Sequence, residues 1–326
     1  MVKAKRWFAW AILSIFVAGL FSIPGSVMAW EPKKPVEFVI MAGQGGGADR
    51  LARLIQSIIA KNKFSPQPFI PINKGGGSGA EALRYLQDKK GDPHVVMATL
   101  NSYYTTPLRS NIGVDIKDFT PVARLALDTF LLWVNSESSI KSVDEYLAEV
   151  KKAGGKWKMG GTGTGQEDSL VTGMLEGRFG VKHTYIPFKG GGTVAKNLIG
   201  NHIDSTVNNP SEQMGFFQAG KSRPIAAFTP ERLEAFPDVP TMGELGHNNM
   251  VYFMQRSVIA PPGIPSDVQD FYVGVFKKVN DSAEWIKYTN DKSLGRAWLT
   301  GNDLTDFFLK EREVHRKLLM DAGEIK

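Results

Sequence analysis

The chain has 326 residues, no cysteine and a formal net charge of +6 at neutral pH. Without cysteine there are no disulfides, thiolate zinc sites or cysteine nucleophiles, so hydrophobic cores alone must hold the fold. The positive charge excess is mild, and the sequence contains no block of basic residues. We therefore expect no nucleic-acid partner.

The N-terminal segment predicts export. Lys3, Lys5 and Arg6 precede an apolar run over 7–21, and small residues follow up to Ala29. This pattern is typical of a cleaved secretory signal peptide over 1–29, because an apolar run of roughly 15 residues is short for a membrane span of about 20. Its removal takes away three positive charges and leaves +3 of the original +6. The expected location is the periplasm.

Short β-rich runs alternate with helical patterns along the rest of the chain. The run 36–41 predicts a strand, and Leu51, Ile55 and Ile58 belong to a half-buried helix after it. The alternation predicts an α/β fold with mostly parallel sheets. Further strands are predicted at 69–72, 95–98, 131–134, 158–159, 184–186, 205–207 and 225–228.

Two later helices carry start signals. Ser142 and Glu145 form the pattern of a capping box, and Gly154 can end the helix that they open. Ser266 and Gln269 repeat the capping-box pattern. We therefore expect a capped helix after each serine.

Two glycine-rich turns, at 43–49 and 160–168, lie between a predicted strand and a predicted helix. A helix start exposes unpaired N–H groups with partial positive charge, so two such turns on facing lobes predict an anion site between them. The first turn does not fit a phosphate loop, because Ala48 and Asp49 stand where that motif needs lysine and a hydroxyl residue. The alternative is a pair of tight structural turns in which Asp49 only caps its helix.

Catalytic and metal-binding patterns are sparse. The five histidines lack metal-ligand spacing, and the chain has no G-x-S-x-G elbow. Glu167 and Asp168 are either a general-acid pair or acids that favour a helix start. We therefore expect no cofactor, no metal and no catalytic group.

A series of short motifs resembles the tripartite tricarboxylate transporter solute-receptor family, the TctC or Bug-type periplasmic binding proteins. The motifs occur in the family's order over nearly the whole chain after the signal segment. They are Lys-Pro-Val at 34–36, Gly-Gly-Gly-Ala-Asp at 45–49, Leu-Ala-Arg at 51–53, Asn-Lys-Gly-Gly-Gly-Ser-Gly at 73–79, Asp-Phe-Thr-Pro-Val-Ala at 118–123, Tyr-Ile-Pro-Phe-Lys-Gly-Gly at 185–191, Phe-Pro-Asp-Val-Pro-Thr at 236–241 and Ala-Pro-Pro-Gly-Ile-Pro at 260–265.

The resemblance implies a two-lobed type II periplasmic-binding-protein fold. Lobe one would comprise 30–128 plus 253–326, and lobe two 129–252. A small carboxylate would lie between the glycine-rich turns of a monomeric receptor. The receptor would deliver it to an ion-gradient-driven transporter with a large multi-span permease and a small membrane subunit.

The predicted ligand-binding residues follow from the turns, from the strand ends and from the resemblance. Arg256, at the return crossing, could pair with a ligand carboxylate or form a hinge salt bridge. Phe188, Tyr103 and Tyr104 could form cleft walls or belong to the core. The predicted set is Gln44, Gly45, Gly46, Gly47, Ala48, Asp49, Thr99, Asn101, Ser102, Gly161, Thr162, Thr164, Gly165, Gln166, Phe188, Asn208, Asn209 and Arg256.

This sequence departs from the family pattern at several of these positions. Ala48 replaces a hydroxyl residue, Gln166 replaces a Ser or Thr, and Asn208 replaces an aspartate. These changes favour an anionic group near the cleft. Two other functions stay open: an exported hydrolase or isomerase that uses Asp49 with Glu167 and Asp168, and a ligand-sensing partner of a sensor kinase.

Overall fold

The computed structural model describes residues 30–326. The predicted signal peptide at 1–29 lies outside the described residues. Within 30–326, no helix is both long enough and apolar enough to cross a membrane.

Strands and helices alternate through most of the described chain, and every run predicted as a strand forms one. The strands are β1 (Val36–Ile40), β2 (Phe69–Asn73), β3 (Val95–Thr99), β4 (Thr120–Thr129), β5 (Leu131–Asn135), β6 (Lys158–Gly161), β7 (Thr184–Pro187), β8 (Ser205–Asn208), β9 (Ser222–Ala227), β10 (Phe253–Ala260) and β11 (Gly295–Leu299). The helices are α1 (Gly47–Lys61), α2 (Ala80–Asp88), α3 (Ser102–Arg109), α4 (Val143–Ala153), α5 (Glu167–Phe179), α6 (Gly191–Ile199), α7 (Pro210–Gln218), α8 (Ser266–Asp281), α9 (Ala283–Asp291) and α10 (Gly301–Asp321).

The strands form two mixed sheets. The six-stranded sheet has the order β11-β4-β10-β3-β1-β2, and the five-stranded sheet has the order β7-β6-β8-β5-β9. We call the first sheet with its helices lobe one and the second sheet with its helices lobe two. β1 pairs in parallel with β2 and β3, and β6 with β7 and β8, whereas the other pairings are antiparallel. The sheets are therefore less parallel than expected, because the strands that connect the lobes run in opposite directions.

The chain passes between the lobes at two adjacent places. β4 ends lobe one at Thr129, and β5 begins lobe two at Leu131. β10 returns to lobe one at Phe253, which pairs with Thr129 in an antiparallel register. The two connections therefore form one paired ribbon. The exact division into 30–128 plus 253–326 and 129–252 stays a prediction.

Each sheet buries both of its faces under helices. Phe38 of β1 belongs to the cluster that includes Ile55 of α1, whereas the neighbouring Val39 belongs to the cluster on the opposite face. This alternation follows from the two-residue period of a strand. Tyr103 and Tyr104 are also buried in the second cluster, so they are core residues and not cleft walls.

Helix α10 contacts both lobes. Near its start, Phe308 packs against Tyr103 of lobe one, with ring centroids 4.9 Å apart. Near its end, Leu319 belongs to the core cluster of lobe two. Arg109 of α3 donates to Glu324, just beyond α10, at 2.8 Å and to the Thr164 carbonyl of lobe two at 2.7 Å. The C-terminal segment is thus a third connection between the lobes.

Only one of the two predicted capping boxes caps its helix through a serine hydroxyl. The Ser142 hydroxyl accepts a hydrogen bond from the Glu145 amide at 3.2 Å, and Gly154 ends α4. In α8, Pro265 is the N-cap without a side-chain cap, and Gln269 donates to the Pro121 carbonyl at 2.7 Å. The tertiary contact of Gln269 therefore replaces the expected capping box.

Replacing Ser142 with alanine is expected to lower the free energy of unfolding by about 1 kcal/mol, because the Glu145 amide loses its acceptor. Urea denaturation of the variant and of the parent protein measures this difference. Ser266→Ala is the matched control and should change the unfolding free energy by less than about 0.5 kcal/mol. Equal losses in the two variants would contradict the capping assignment.

Candidate functional site

A cavity of about 490 Å³ lies between the two lobes. Gly46 and Gly47 line it from the first glycine-rich turn, and Thr162 and Gln166 line it from the second. Arg256, on the returning strand β10, lines it from the hinge. The volume falls within the range of about 300–1,000 Å³ that is typical of small-molecule sites.

The first turn is fixed from within lobe one by Asp49. This buried carboxylate accepts hydrogen bonds from the Gly45 amide, Asn73 Nδ2 and Arg53 Nε, each at 2.9 Å. Burial acts to raise the pKa of Asp49, but these three donors outweigh it and hold the pKa below its ordinary value. Asp49 therefore shapes the turn and lies outside the cavity lining.

The second turn is fixed by residues at the start of α5. Asp168 accepts from the Thr162 amide at 2.7 Å, and Gln166 Oε1 accepts from the Gly163 amide at 2.8 Å. Gly165 has a φ of +73°, which L side chains rarely adopt, and a Cβ there would collide with Arg109. Side chains of the turn thus occupy several of the amides that were expected to be free for an anion.

An acid of lobe two lies on the helix start of lobe one. Glu212 Oε1 accepts from the Gly47 amide, the first residue of α1, at 2.9 Å. Burial raises the pKa of Glu212, while Arg50 and the Gly47 amide oppose the shift. The contact joins the two lobes directly, and the helix dipole of α1 favours the negative charge there.

Arg256 forms a buried ion pair across the hinge. Its Nε donates to Asp128 Oδ2 at 3.1 Å, and its Nη2 also contacts this oxygen. Both side chains are almost completely buried. Burial raises the pKa of Asp128, although the positive charge of Arg256 opposes the shift. Arg256 is therefore a hinge residue that also lines the cavity.

The structure brings part of the predicted ligand-binding set together around the cavity. Eight predicted residues line it: Gly46, Gly47, Ala48, Thr162, Gln166, Phe188, Asn209 and Arg256. Ten predicted residues lie outside the lining: Gln44, Gly45, Asp49, Thr99, Asn101, Ser102, Gly161, Thr164, Gly165 and Asn208.

The predicted residues after β3 are buried behind the cavity wall. Asn101 Nδ2 donates to the Phe253 carbonyl at 2.9 Å, and Asn101 Oδ1 accepts from the Gln255 amide at 2.9 Å. The Thr99 hydroxyl contacts the Met41 sulfur at 3.2 Å. Asn101 therefore attaches the start of α3 to β10, Thr99 packs against the residue that follows β1, and Leu100 lines the cavity instead.

The sequence analysis did not predict Glu212, an acidic residue of the cavity lining. Glu212 lies in the first turn of α7, where Pro210 occupies the first helical position. Proline is favoured at that position, so Asn209 and Pro210 after a predicted strand indicate a further helix start at the cleft edge. This signal could have identified Glu212. The other polar side chains in the lining that are absent from the predicted ligand-binding set belong to Asn73, Ser78, Glu167, Asp168 and Lys189.

Comparisons with known proteins find similar chains and folds over most of this chain. A protein of Cupriavidus necator, named UPF0065 protein in gbd 5'region, is 29% identical over 265 residues, which cover 81% of this chain and 80% of the relative. The structure of periplasmic binding protein BugD matches with a TM-score of 0.83 and 22% identity over 90% of this chain and 99% of its own. A structure of an R. palustris protein with adipate matches with a TM-score of 0.82 and 24% identity over 90% of this chain and 98% of its own.

These structures share the two-lobed fold, which confirms the predicted periplasmic-binding-protein architecture. The family described as tripartite tricarboxylate transporter family receptor matches over residues 51–322. That range begins just after the first glycine-rich turn, takes in both lobes and ends within the C-terminal connection. The chain therefore belongs to the tripartite tricarboxylate transporter receptor family, and it is a solute receptor.

Proposed function

We propose that this receptor works in the periplasm, where it encloses a small carboxylate-bearing solute between its lobes. It then delivers the solute to an ion-gradient-driven transporter made of a large multi-span permease and a small membrane subunit. The observation that carries the proposal is the cavity between two glycine-rich turns, each at the start of a helix. We further propose that the receptor acts as a monomer, is exported by a cleaved signal peptide and uses no cofactor.

Three observations support a carboxylate as the ligand. The starts of α1 and α5 both face the cavity, and helix starts favour negative charge. Lys189 also lines it and supplies positive charge, whereas the charge of Arg256 is already paired with Asp128. The related R. palustris structure contains adipate, a dicarboxylate. We therefore infer that the solute of this protein also carries at least one carboxylate.

The geometry favours binding over catalysis. The enzyme hypothesis requires Asp49 to face Glu167 and Asp168 across the cleft. Asp49 instead accepts three hydrogen bonds within lobe one and lies outside the lining. We therefore propose that the protein releases its solute unchanged.

A stability screen tests this function. Dicarboxylates such as malate and adipate, together with tricarboxylates and aromatic acids, are added to the purified protein during thermal unfolding. A bound acid at a hundred times its dissociation constant is expected to add about 2.7 kcal/mol to the free energy of unfolding. The acid should be recovered chemically unchanged. The proposal fails if no acid raises the melting temperature, or if the bound acid is converted to a product.

A further inference from the structure

A second space between the lobes lies on the far side of the hinge. Its volume is about 750 Å³, compared with about 490 Å³ for the cavity that we assign to the solute. The segment 229–235 forms its wall in lobe two, and the end of α9 with the segment 293–295 forms its wall in lobe one. Thr129 and Phe253, which pair in the connecting ribbon, also line it. We call this space the rear groove and the solute cavity the front cavity.

The order of the strands places the two spaces on opposite sides of the connections between the lobes. In lobe one, Met41 and Leu100 follow β1 and β3 and line the front cavity on the β10 side of the ribbon. The start of β11 lines the rear groove on the β4 side. In lobe two, residues after β6, β7 and β8 line the front cavity, whereas the segment after β9 lines the rear groove. Because β5 lies between β8 and β9, the crossing strands separate the two spaces in both sheets.

Polar contacts join the lobes at the front cavity but not across the rear groove. At the front, Glu212 of lobe two accepts from the Gly47 amide of lobe one at 2.9 Å. Arg109 of lobe one donates to the Thr164 carbonyl of lobe two at 2.7 Å. Among residues 30–326, no hydrogen bond or ion pair joins the two walls of the rear groove. The lobes are therefore in contact at the front and apart at the rear.

Each wall of the rear groove is held within its own lobe. In lobe two, Arg232 donates to the Pro237 carbonyl at 2.8 Å and to Glu244 at 2.9 Å. In lobe one, the Thr129 hydroxyl donates to the Ser293 carbonyl at 3.4 Å. Each lobe also has a hydrophobic core cluster formed only by its own residues. Two such bodies that rotate about the crossing strands must narrow the space on one side as they widen the space on the other.

We propose that the rear groove sets how far the receptor opens. Its walls approach each other as the front cavity opens, and contact between the walls ends the movement. A receptor whose rear walls are drawn together is therefore held open, and a receptor whose rear groove is filled is held closed. This device belongs to the fold and does not depend on which solute the front cavity takes.

The test draws the rear walls together with cross-links of decreasing length. Ala235 and Asn290 are exposed and line the groove from opposite lobes. Because the chain has no cysteine, the double variant Ala235→Cys with Asn290→Cys offers bismaleimide reagents only this pair of thiols. Small-angle X-ray scattering measures the radius of gyration of each monomeric cross-linked product. We expect this radius to increase as the cross-link shortens, since the front cavity then opens.

A pair of cysteines within one lobe provides the matched control. Lys196 on α6 and Ala219 at the end of α7 are both exposed, and both belong to lobe two. The same reagents on Lys196→Cys with Ala219→Cys should leave the radius of gyration unchanged. Thermal unfolding of each double variant before cross-linking verifies that it is folded.

The inference is overturned if the radius of gyration stays constant or falls as the rear cross-link shortens, or if only the longest reagent bridges the two cysteines. Calorimetry with malate and adipate adds a second measurement. An acid that binds the parent protein should bind the product with the shortest cross-link at least tenfold more weakly, which corresponds to about 1.4 kcal/mol. Equal affinities for the shortest and longest cross-links would also overturn the inference.

The outcomes separate this inference from the proposed function. If no acid of the stability screen binds the parent protein, the carboxylate-receptor proposal fails. The scattering series needs no solute, so it still decides whether the rear groove limits the opening of the lobes.

Discussion

Gly46→Leu is expected to reduce the affinity for the solute at least 100-fold, about 2.7 kcal/mol, while the protein stays folded. Gly46 has a φ of −78° and a ψ of 174°, so any residue can adopt its backbone conformation. The nearest atom to an added Cβ is the Gly43 carbonyl oxygen at 3.9 Å, an ordinary contact. Because Gly46 lines the cavity, a leucine side chain would occupy the volume of the ligand. Calorimetry with an acid that binds the parent protein measures the loss.

Gly215→Leu provides the matched control for this substitution. Gly215 is exposed on α7, and an added Cβ there meets no atom within 4 Å. The control should bind the acid with unchanged affinity. Loss of a favourable N-cap residue should lower the unfolding free energy of Gly46→Leu by about 1 kcal/mol. A Gly46→Leu variant that binds with the parent affinity would show that the solute does not occupy the cavity.

Arg256→Ala is expected to lower the free energy of unfolding by about 3–5 kcal/mol, because it leaves the buried carboxylate of Asp128 without its partner. Burial already raises the pKa of Asp128 in the folded protein. The variant should therefore recover part of its stability as the pH falls, since the folded state then takes up a proton at Asp128 more readily than the unfolded state. Urea denaturation at several pH values measures both effects.

The single variants Asp128→Ala and Arg256→Ala, together with the double variant that carries both substitutions, form a double-mutant cycle. The double variant should be less destabilised than the sum of the two single variants, because neither charge is then left unpaired. Additive losses would contradict a buried ion pair. In the folded single variant, a tenfold loss of solute affinity would assign Arg256 a second role at the ligand carboxylate.

The sequence predicted these strands well because most of them are short apolar runs, several of them fully buried. β3 and β5, for example, are buried at all five positions. The connecting strands β4 and β10 were not predicted as strands. Their pairing partners are far apart in the chain, so no local pattern reveals the antiparallel ribbon between them. The C-terminal connection through α10 was missed for the same reason.

The site was predictable at the level of turns but not of individual contacts. The sequence located both helix starts, and Gly46 and Thr162 do line the cavity. It could not show that Asp168 and Glu212 occupy turn amides, because each contact depends on tertiary geometry. The two hypotheses for Arg256 differed only in its partner, and Asp128 lies 128 residues away in sequence.

The third connection between the lobes also bears on affinity. The contacts of Arg109 with Thr164 and Glu324 connect the two lobes, as does the ribbon of β4 and β10. These connections resist separation of the lobes. The free energy of these contacts adds to the difference between the open and closed states. Because the solute is enclosed only in the closed state, the population of that state scales the apparent dissociation constant. Residues at the far C-terminus can therefore tune how tightly the receptor holds a solute that they never touch.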